Sequence, residues 1–234
     1  MKTLGIIGGI GPGSTVDYYQ TIIELYRARK NDGSYPPIFI NSIDLQRVLA
    51  TVGAGKLNAL TDWLLTELAK LERAGADFAI MASNTPHIVF YDLAAKSPLP
   101  LISIVEKTCD EAKRRGLKRL ALFGTRFTMQ GTAYRDLFSA NDIAVIAPQL
   151  VDLEFIHEKY MSELVAGVFL PETRAGLLAI VDRMADQSRI DGVILGGTEL
   201  PLILRDGSHN EIPLLNTTRI HCHAAVERMF SHEA

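Results

Sequence analysis

Two kinds of segment alternate along this chain. Short runs such as Leu4–Ile7, Phe78–Ala82 and Val193–Gly196 are apolar or small throughout, and longer stretches repeat apolar residues every three or four positions. The first pattern reads as strands buried on both faces of a parallel sheet, the second as amphipathic helices laid over it. In order, strand Leu4–Ile7 leads into a glycine-rich turn, Gly8–Ser14. Ser14 is expected to cap the next helix, with Asp17 completing a capping box, and Val16, Tyr19, Ile22, Ile23 and Tyr26 form its expected inner face. Strand Pro37–Ile43 ends on Asp44. A helix carrying Leu60, Leu64, Leu65, Leu68 and Leu71 closes at Gly75. Strand Phe78–Ala82, a short helix at Ile88–Ala95 and strand Leu99–Ser103 complete the first set.

The order then repeats. A helix at Val105–Arg115 precedes strand Lys118–Thr125, a helix from Thr128 and strand Ile143–Ala147. Helices Leu153–Val165 and Glu172–Gln187, strands Val193–Gly196 and Ile212–Asn216, and a closing helix Thr217–His232 follow. Asp77-Phe-Ala-Ile-Met-Ala-Ser-Asn-Thr-Pro-His87 shares its layout with Asp191-Gly-Val-Ile-Leu-Gly-Gly-Thr-Glu-Leu-Pro201. Aligning the two aspartates sets Ser83 opposite Gly197, Asn84 opposite Thr198 and Thr85 opposite Glu199. The pattern predicts an α/β protein of two pseudo-symmetric α/β/α half-domains, each with a four-stranded, mainly parallel sheet. Residues 1–104 with 214–234 form the first and 105–213 the second. Ligands of such sheets lie beyond the carboxyl ends of the strands, so an active site is expected in the cleft between the halves.

Composition narrows the function classes. At 234 residues, 47% hydrophobic and 22% charged, with a net charge of −3, the chain has an ordinary globular make-up and no basic surface suited to nucleic acid. No apolar run approaches the length of a membrane span. The N-terminal run breaks at Gly8 and Gly9 without a cleavage motif and reads as a strand, not a signal peptide; the cytoplasm is the default location. Cys109 and Cys222 form no disulfide or metal pattern. In His221-Cys222-His223 the two imidazoles point in different directions on a helix, which disfavours a metal site.

Gly9-Ile-Gly11-Pro-Gly-Ser14 invites comparison with a dinucleotide fingerprint. Ser14 stands at the third glycine, however, and Pro12 removes an N–H that a phosphate would use. A tight strand–helix turn explains the glycines, and a carboxylate at this helix start is an alternative ligand. Ser83, Asn84, Thr85, Thr125, Thr128 and Thr198 offer neutral donors at strand ends, suited either to a carboxylate or to helix capping. His87, Glu199 and Asp44 are the titratable groups nearest these turns, and His87 and Glu199 are candidate acid/base residues.

Gly5-Ile-Ile-Gly-Gly-Ile-Gly-Pro12, Ser83-Asn-Thr-Pro-His87, Gly124-Thr-Arg-Phe-Thr-Met129 and Gly196-Gly-Thr-Glu-Leu-Pro201 resemble the aspartate/glutamate racemase family in order and spacing. The resemblance implies a cofactor-independent enzyme, without pyridoxal phosphate or metal. In that family two cysteines, one on each repeated turn, remove and return the α-proton of an amino acid from opposite faces. Here those positions are Ser83 and Gly197. The two-thiol mechanism is therefore unavailable, and Gly197 leaves the second position empty. The resemblance assigns Asn84, Thr85 and Thr198 to the substrate α-carboxylate, Ser14, Thr15 and Thr128 to the rest of the cleft, and Arg47 to a distal carboxylate. It also implies a homodimer. The expectation is α-proton transfer on aspartate, glutamate or a similar small carboxylate. The alternatives are a catalytically silent carboxylate binder or an engineered cysteine-less variant, and behind them a dinucleotide-dependent dehydrogenase.

Overall fold

The structure, a computed structural model, describes residues 1–231. Its elements in chain order begin β1 Leu4–Gly8, α1 Pro12–Lys30, β2 Ile38–Ser42, α2 Leu45–Gly53, α3 Leu57–Ala74 and β3 Phe78–Met81. A 3-10 turn at Thr85–Val89 leads to α4 Phe90–Lys96, β4 Leu101–Ile102 and α5 Ile104–Arg114. Then come β5 Arg119–Gly124, α6 Arg126–Gln130, α7 Ala133–Ser139, β6 Ala144–Ile146 and α8 Leu150–Lys159, which runs on as a π-helical turn, Tyr160–Leu164. The chain continues through α9 Pro171–Ser188, β7 Gly192–Gly196, α10 Leu200–Ile203, β8 Ser208–His209, β9 Ile212–Asn216 and α11 Thr217–Phe230.

Two compact units result: Met1–Ile104 together with the chain from His221 onward, and Val105–Ile220. The first contains a parallel sheet in the order β2-β1-β3-β4, and the second repeats it as β6-β5-β7-β9. A fifth strand, β8, pairs antiparallel with β9 where four strands were expected. Two residues, Ser208 and His209, are too short and too polar to register as an apolar run. The unit boundary also falls later than residue 214. Pairing of Val193 with Leu214 and of Leu195 with Asn216 holds β9 in the second sheet, so residues 214–220 belong there.

The repeated aspartates have the same task in both units. Asp77 accepts a hydrogen bond from Thr3 N–H at 2.6 Å, just before β1. Asp191 accepts from Lys118 N–H at 2.7 Å and Arg119 N–H at 2.9 Å, at the start of β5. Each carboxylate thus ties its own strand to the start of the central strand beside it. The turns that leave β3 and β7 accordingly hold equivalent places in their sheets.

Helix α1 departs from the sequence expectation. It begins at Pro12, not after Ser14, because proline has no N–H to leave unsatisfied in a first turn. Ser14 lies inside the helix and its hydroxyl donates to Gly11 O at 2.9 Å, so no capping box forms. The buried face is Ser14, Thr15, Tyr18, Thr21, Ile22 and Tyr26, whereas Val16 and Tyr19 are 55% and 45% exposed. Close approach to β1 explains the preference for small hydroxyl residues: a Cβ on Gly8 would lie 2.6 Å from Thr15 Cγ2. Further along, Tyr18, Ile22 and Tyr26 join Leu4, Ile6, Phe78 and Ile80 in a core completed by Cys222, Ala225, Val226 and Met229 of α11. The closing helix therefore completes the first unit.

Candidate active site

In the first unit, Ser83, Asn84 and Thr85 follow β3 directly and all three are buried. His87, one turn further on, fixes the backbone here. Ile104 N–H donates to His87 Nε2 at 3.2 Å, so that nitrogen carries no proton. Nδ1 therefore carries it and donates to Ser83 O at 2.9 Å. Burial, with His221 nearby, pushes the His87 pKa down to about 3. A neutral imidazole with both nitrogens engaged is a positioning group; the structure does not support the acid/base role expected for it.

His221 forms a second layer. Its Nε2 donates to Ile102 O at 2.9 Å, and Nδ1 accepts from Tyr18 Oη at 3.0 Å. Burial lowers its pKa to about 4, and its ring meets that of His87 edge-on at 6.2 Å. His223 is exposed, so the two histidines of the His221-Cys222-His223 run face different surroundings. Cys109 and Cys222 are both buried, and burial pushes the Cys109 thiol up. Cys222 packs in the first-unit core, its thiol directed at Tyr18 O. Among the described residues no group of three or more His, Cys, Asp or Glu is arranged to hold a metal.

The remaining first-unit candidates are partly committed elsewhere. Thr15 Oγ1 accepts from Gly9 N–H at 2.9 Å and donates to Gly11 O at 3.1 Å, so Ser14 and Thr15 spend their hydroxyl protons bracing the glycine turn. Gly9 itself has φ 79, and a Cβ there would sit 2.4 Å from Ile43 O. Asp44 caps α2, accepting from Gln46 N–H at 2.9 Å. Arg47, in the first turn of α2, is exposed and lies with its guanidinium 4.0 Å from the Trp63 ring centroid.

In the second unit, Thr125 caps α6, accepting from Thr128 N–H at 3.2 Å, and the two threonine hydroxyls lie 3.0 Å apart. The turn after β7 holds Gly197, Thr198 and Glu199, all buried. Glu199 occupies the cap position of α10 but makes no side-chain cap bond. Its carboxylate turns instead to the Tyr160 hydroxyl, which donates to Oε2, and to Thr198 Oγ1, which donates to the same oxygen at 3.1 Å. Burial, with the neighbouring Glu199 carboxylate, holds the phenol pKa well above its ordinary value, so Tyr160 is protonated at neutral pH.

Gly197 requires a correction. The sequence presented it as an empty position, but the space is filled. A Cβ built on Gly197 would lie 2.3 Å from Tyr160 Cε2 and 2.9 Å from Cζ. Tyr160 was not among the sequence candidates; it sits 39 positions from Glu199, in a segment that reads only as an amphipathic helix. The sequence signal that existed was indirect: a glycine where its repeat carries a side chain.

The two sheets of matching strand order, each with a buried polar turn beyond its second central strand, define a duplicated α/β fold of the racemase type. Residues 7–225 match the Asp/Glu/Hydantoin racemase family, and the chain belongs to it. It is 24% identical to the broad specificity amino-acid racemase RacX of Bacillus subtilis (strain 168), covering 99% of this chain and all of that protein. An aspartate racemase homologue from Pyrococcus horikoshii OT3 is 29% identical, with a TM-score of 0.84 over 99% of this chain and 100% of that one. The aspartate racemase of Picrophilus torridus shares the fold, with a TM-score of 0.73 at 22% identity over 98% and 94% of the two chains.

Proposed function

We propose that this protein binds a small carboxylic acid, with aspartate and glutamate the first candidates, and exchanges its α-proton slowly without a cofactor. The observation that carries this reading is the duplicated strand-end turn. Ser83-Asn84-Thr85 and Gly197-Thr198-Glu199 follow equivalent strands, β3 and β7, in a chain of the racemase family. Asn84, Thr85 and Thr198 serve the α-carboxylate, with Ser14, Thr15 and Thr128 lining the remaining room and Arg47 meeting a distal carboxylate. Ser83 takes the place of the first family cysteine. A hydroxyl is a far weaker source of base than a thiol, which is why the exchange is slow.

Incubation of each enantiomer of aspartate and glutamate in heavy water, followed by proton NMR of the α-hydrogen, tests the reading. Exchange is expected with the wild-type protein and loss of exchange with Ser83→Ala. Absence of exchange on every acid tried would remove the enzymatic reading. One observation favours a second reading, binding without turnover: His87 is bonded to the Ser83 carbonyl, not to its hydroxyl. In that case aspartate or a similar acid raises Tm while the α-hydrogen stays in place. A cytoplasmic homodimer is the assembly we propose, with sedimentation at working concentration as its check.

A further inference from the structure

Gly197 and Tyr160 form one packing unit. Beside the 2.3 and 2.9 Å approaches already given, the Cβ of any residue at 197 would lie 3.1 Å from Tyr160 Cδ2, so one edge of the ring covers the Gly197 backbone. The ring has little freedom to withdraw. Tyr160 is 6% exposed, and its hydroxyl is anchored on Glu199, two residues beyond Gly197. Its carbonyl accepts from Val165 N–H at 3.0 Å, in the π-helical turn that continues α8 from this residue. The anchor and the obstruction belong to the same short turn, so moving the ring from residue 197 also breaks its bond to Glu199.

We propose that residue 160 determines what residue 197 can be: Tyr160 occupies the room of the residue-197 side chain, and this half-site accepts a reactive side chain there only when residue 160 is smaller. The absent second thiol is then a swap of one buried group for another, not a deletion. The steric claim stands on the structure alone; its consequence for activity rests on the function proposed above.

The test is a cycle of Gly197→Cys, Tyr160→Val and the double variant, followed by thermal unfolding. Overpacking is expected to lower the Tm of Gly197→Cys by about 5 °C, while the double variant unfolds within about 2 °C of Tyr160→Val. If Gly197→Cys yields no folded protein, Gly197→Ala in the same two backgrounds makes the comparison. Equal Tm loss in both backgrounds, or none in either, overturns the proposal. Racemisation of aspartate and glutamate is then measured for Ser83→Cys/Gly197→Cys with and without Tyr160→Val. The triple variant is expected to be at least about 100-fold faster, the scale of one acid/base group. An active double variant, racemising as fast as the triple, overturns the steric proposal. Coupled stabilities with an inactive triple variant overturn the functional reading instead and leave the packing claim standing.

Discussion

His87 is held neutral by its surroundings, and that has a measurable consequence for stability against pH. An ordinary histidine titrates near 6.5, whereas burial lowers His87 to about 3. Because the folded value is the lower one, the unfolded chain takes up a proton below pH 6.5 that the folded chain refuses. The stabilisation is complete above 6.5 and is lost progressively as pH falls from there towards 3. Between pH 6 and pH 5 this single group costs about 1.2 kcal/mol by linkage. His87→Asn removes the titration while keeping an amide able to reach Ser83 O. It also sacrifices the bond from Ile104 N–H, so its stability is lower at every pH by about 1–3 kcal/mol. The decisive quantity is therefore the slope.

Trp63 is the chain's single tryptophan and lies in the same unit as His87, so its fluorescence follows the relevant transition in urea. Wild-type protein should lose about 1.2 kcal/mol more than His87→Asn between pH 6 and pH 5. His221, lowered to about 4, contributes with the same sign in both proteins and cancels. Asp32 and Glu111, held near 2 by hydrogen bonds to Ser34 and to Arg114 respectively, act mainly below this window and also cancel. Equal slopes would refute the assignment of His87 as a buried neutral group. So would an imidazole NMR signal that moves with a midpoint near 6.5.

Other perturbations separate the remaining contributions. Tyr160→Phe keeps the ring over Gly197 but removes the donor to Glu199, and should cost about 1.5–3 kcal/mol in urea unfolding at pH 7. Gly9→Ala combines a left-handed backbone with a Cβ 2.4 Å from Ile43 O. Its expected loss is about 3 kcal/mol, read from the denaturation midpoint. Arg47→Ala, at an exposed position, should leave Tm within about 2 °C of wild type and weaken an acidic amino acid more than alanine in a ligand-induced Tm shift; equal weakening of both ligands would remove Arg47 from distal-carboxylate recognition.

Much of the fold was legible because its signals are local. A strand buried on both faces is apolar at every position, and β1, β3 and β7 show this directly. The repeat of Asp77 and Asp191 was legible for the same reason, and it marked the two polar turns. The inner face of α1 was misread because Val16 and Tyr19 are the more apolar residues, yet the close approach to β1 admits Ser14 and Thr15. Strand β8 left no pattern, since two polar residues form it only by pairing with β9.

By itself, the sequence determined the duplicated α/β architecture and the pair of turns, which carry Ser83 and Gly197 and no cysteine. Whether His87 is a base or a brace was decided by tertiary structure, which brings Ile104 N–H to one ring nitrogen and Ser83 O to the other. Tertiary structure likewise decided what stands beside Gly197. A glycine records locally that a side chain is missing; only the packing of the π-helical turn after α8 against the β7 turn specifies that the Tyr160 ring fills its place.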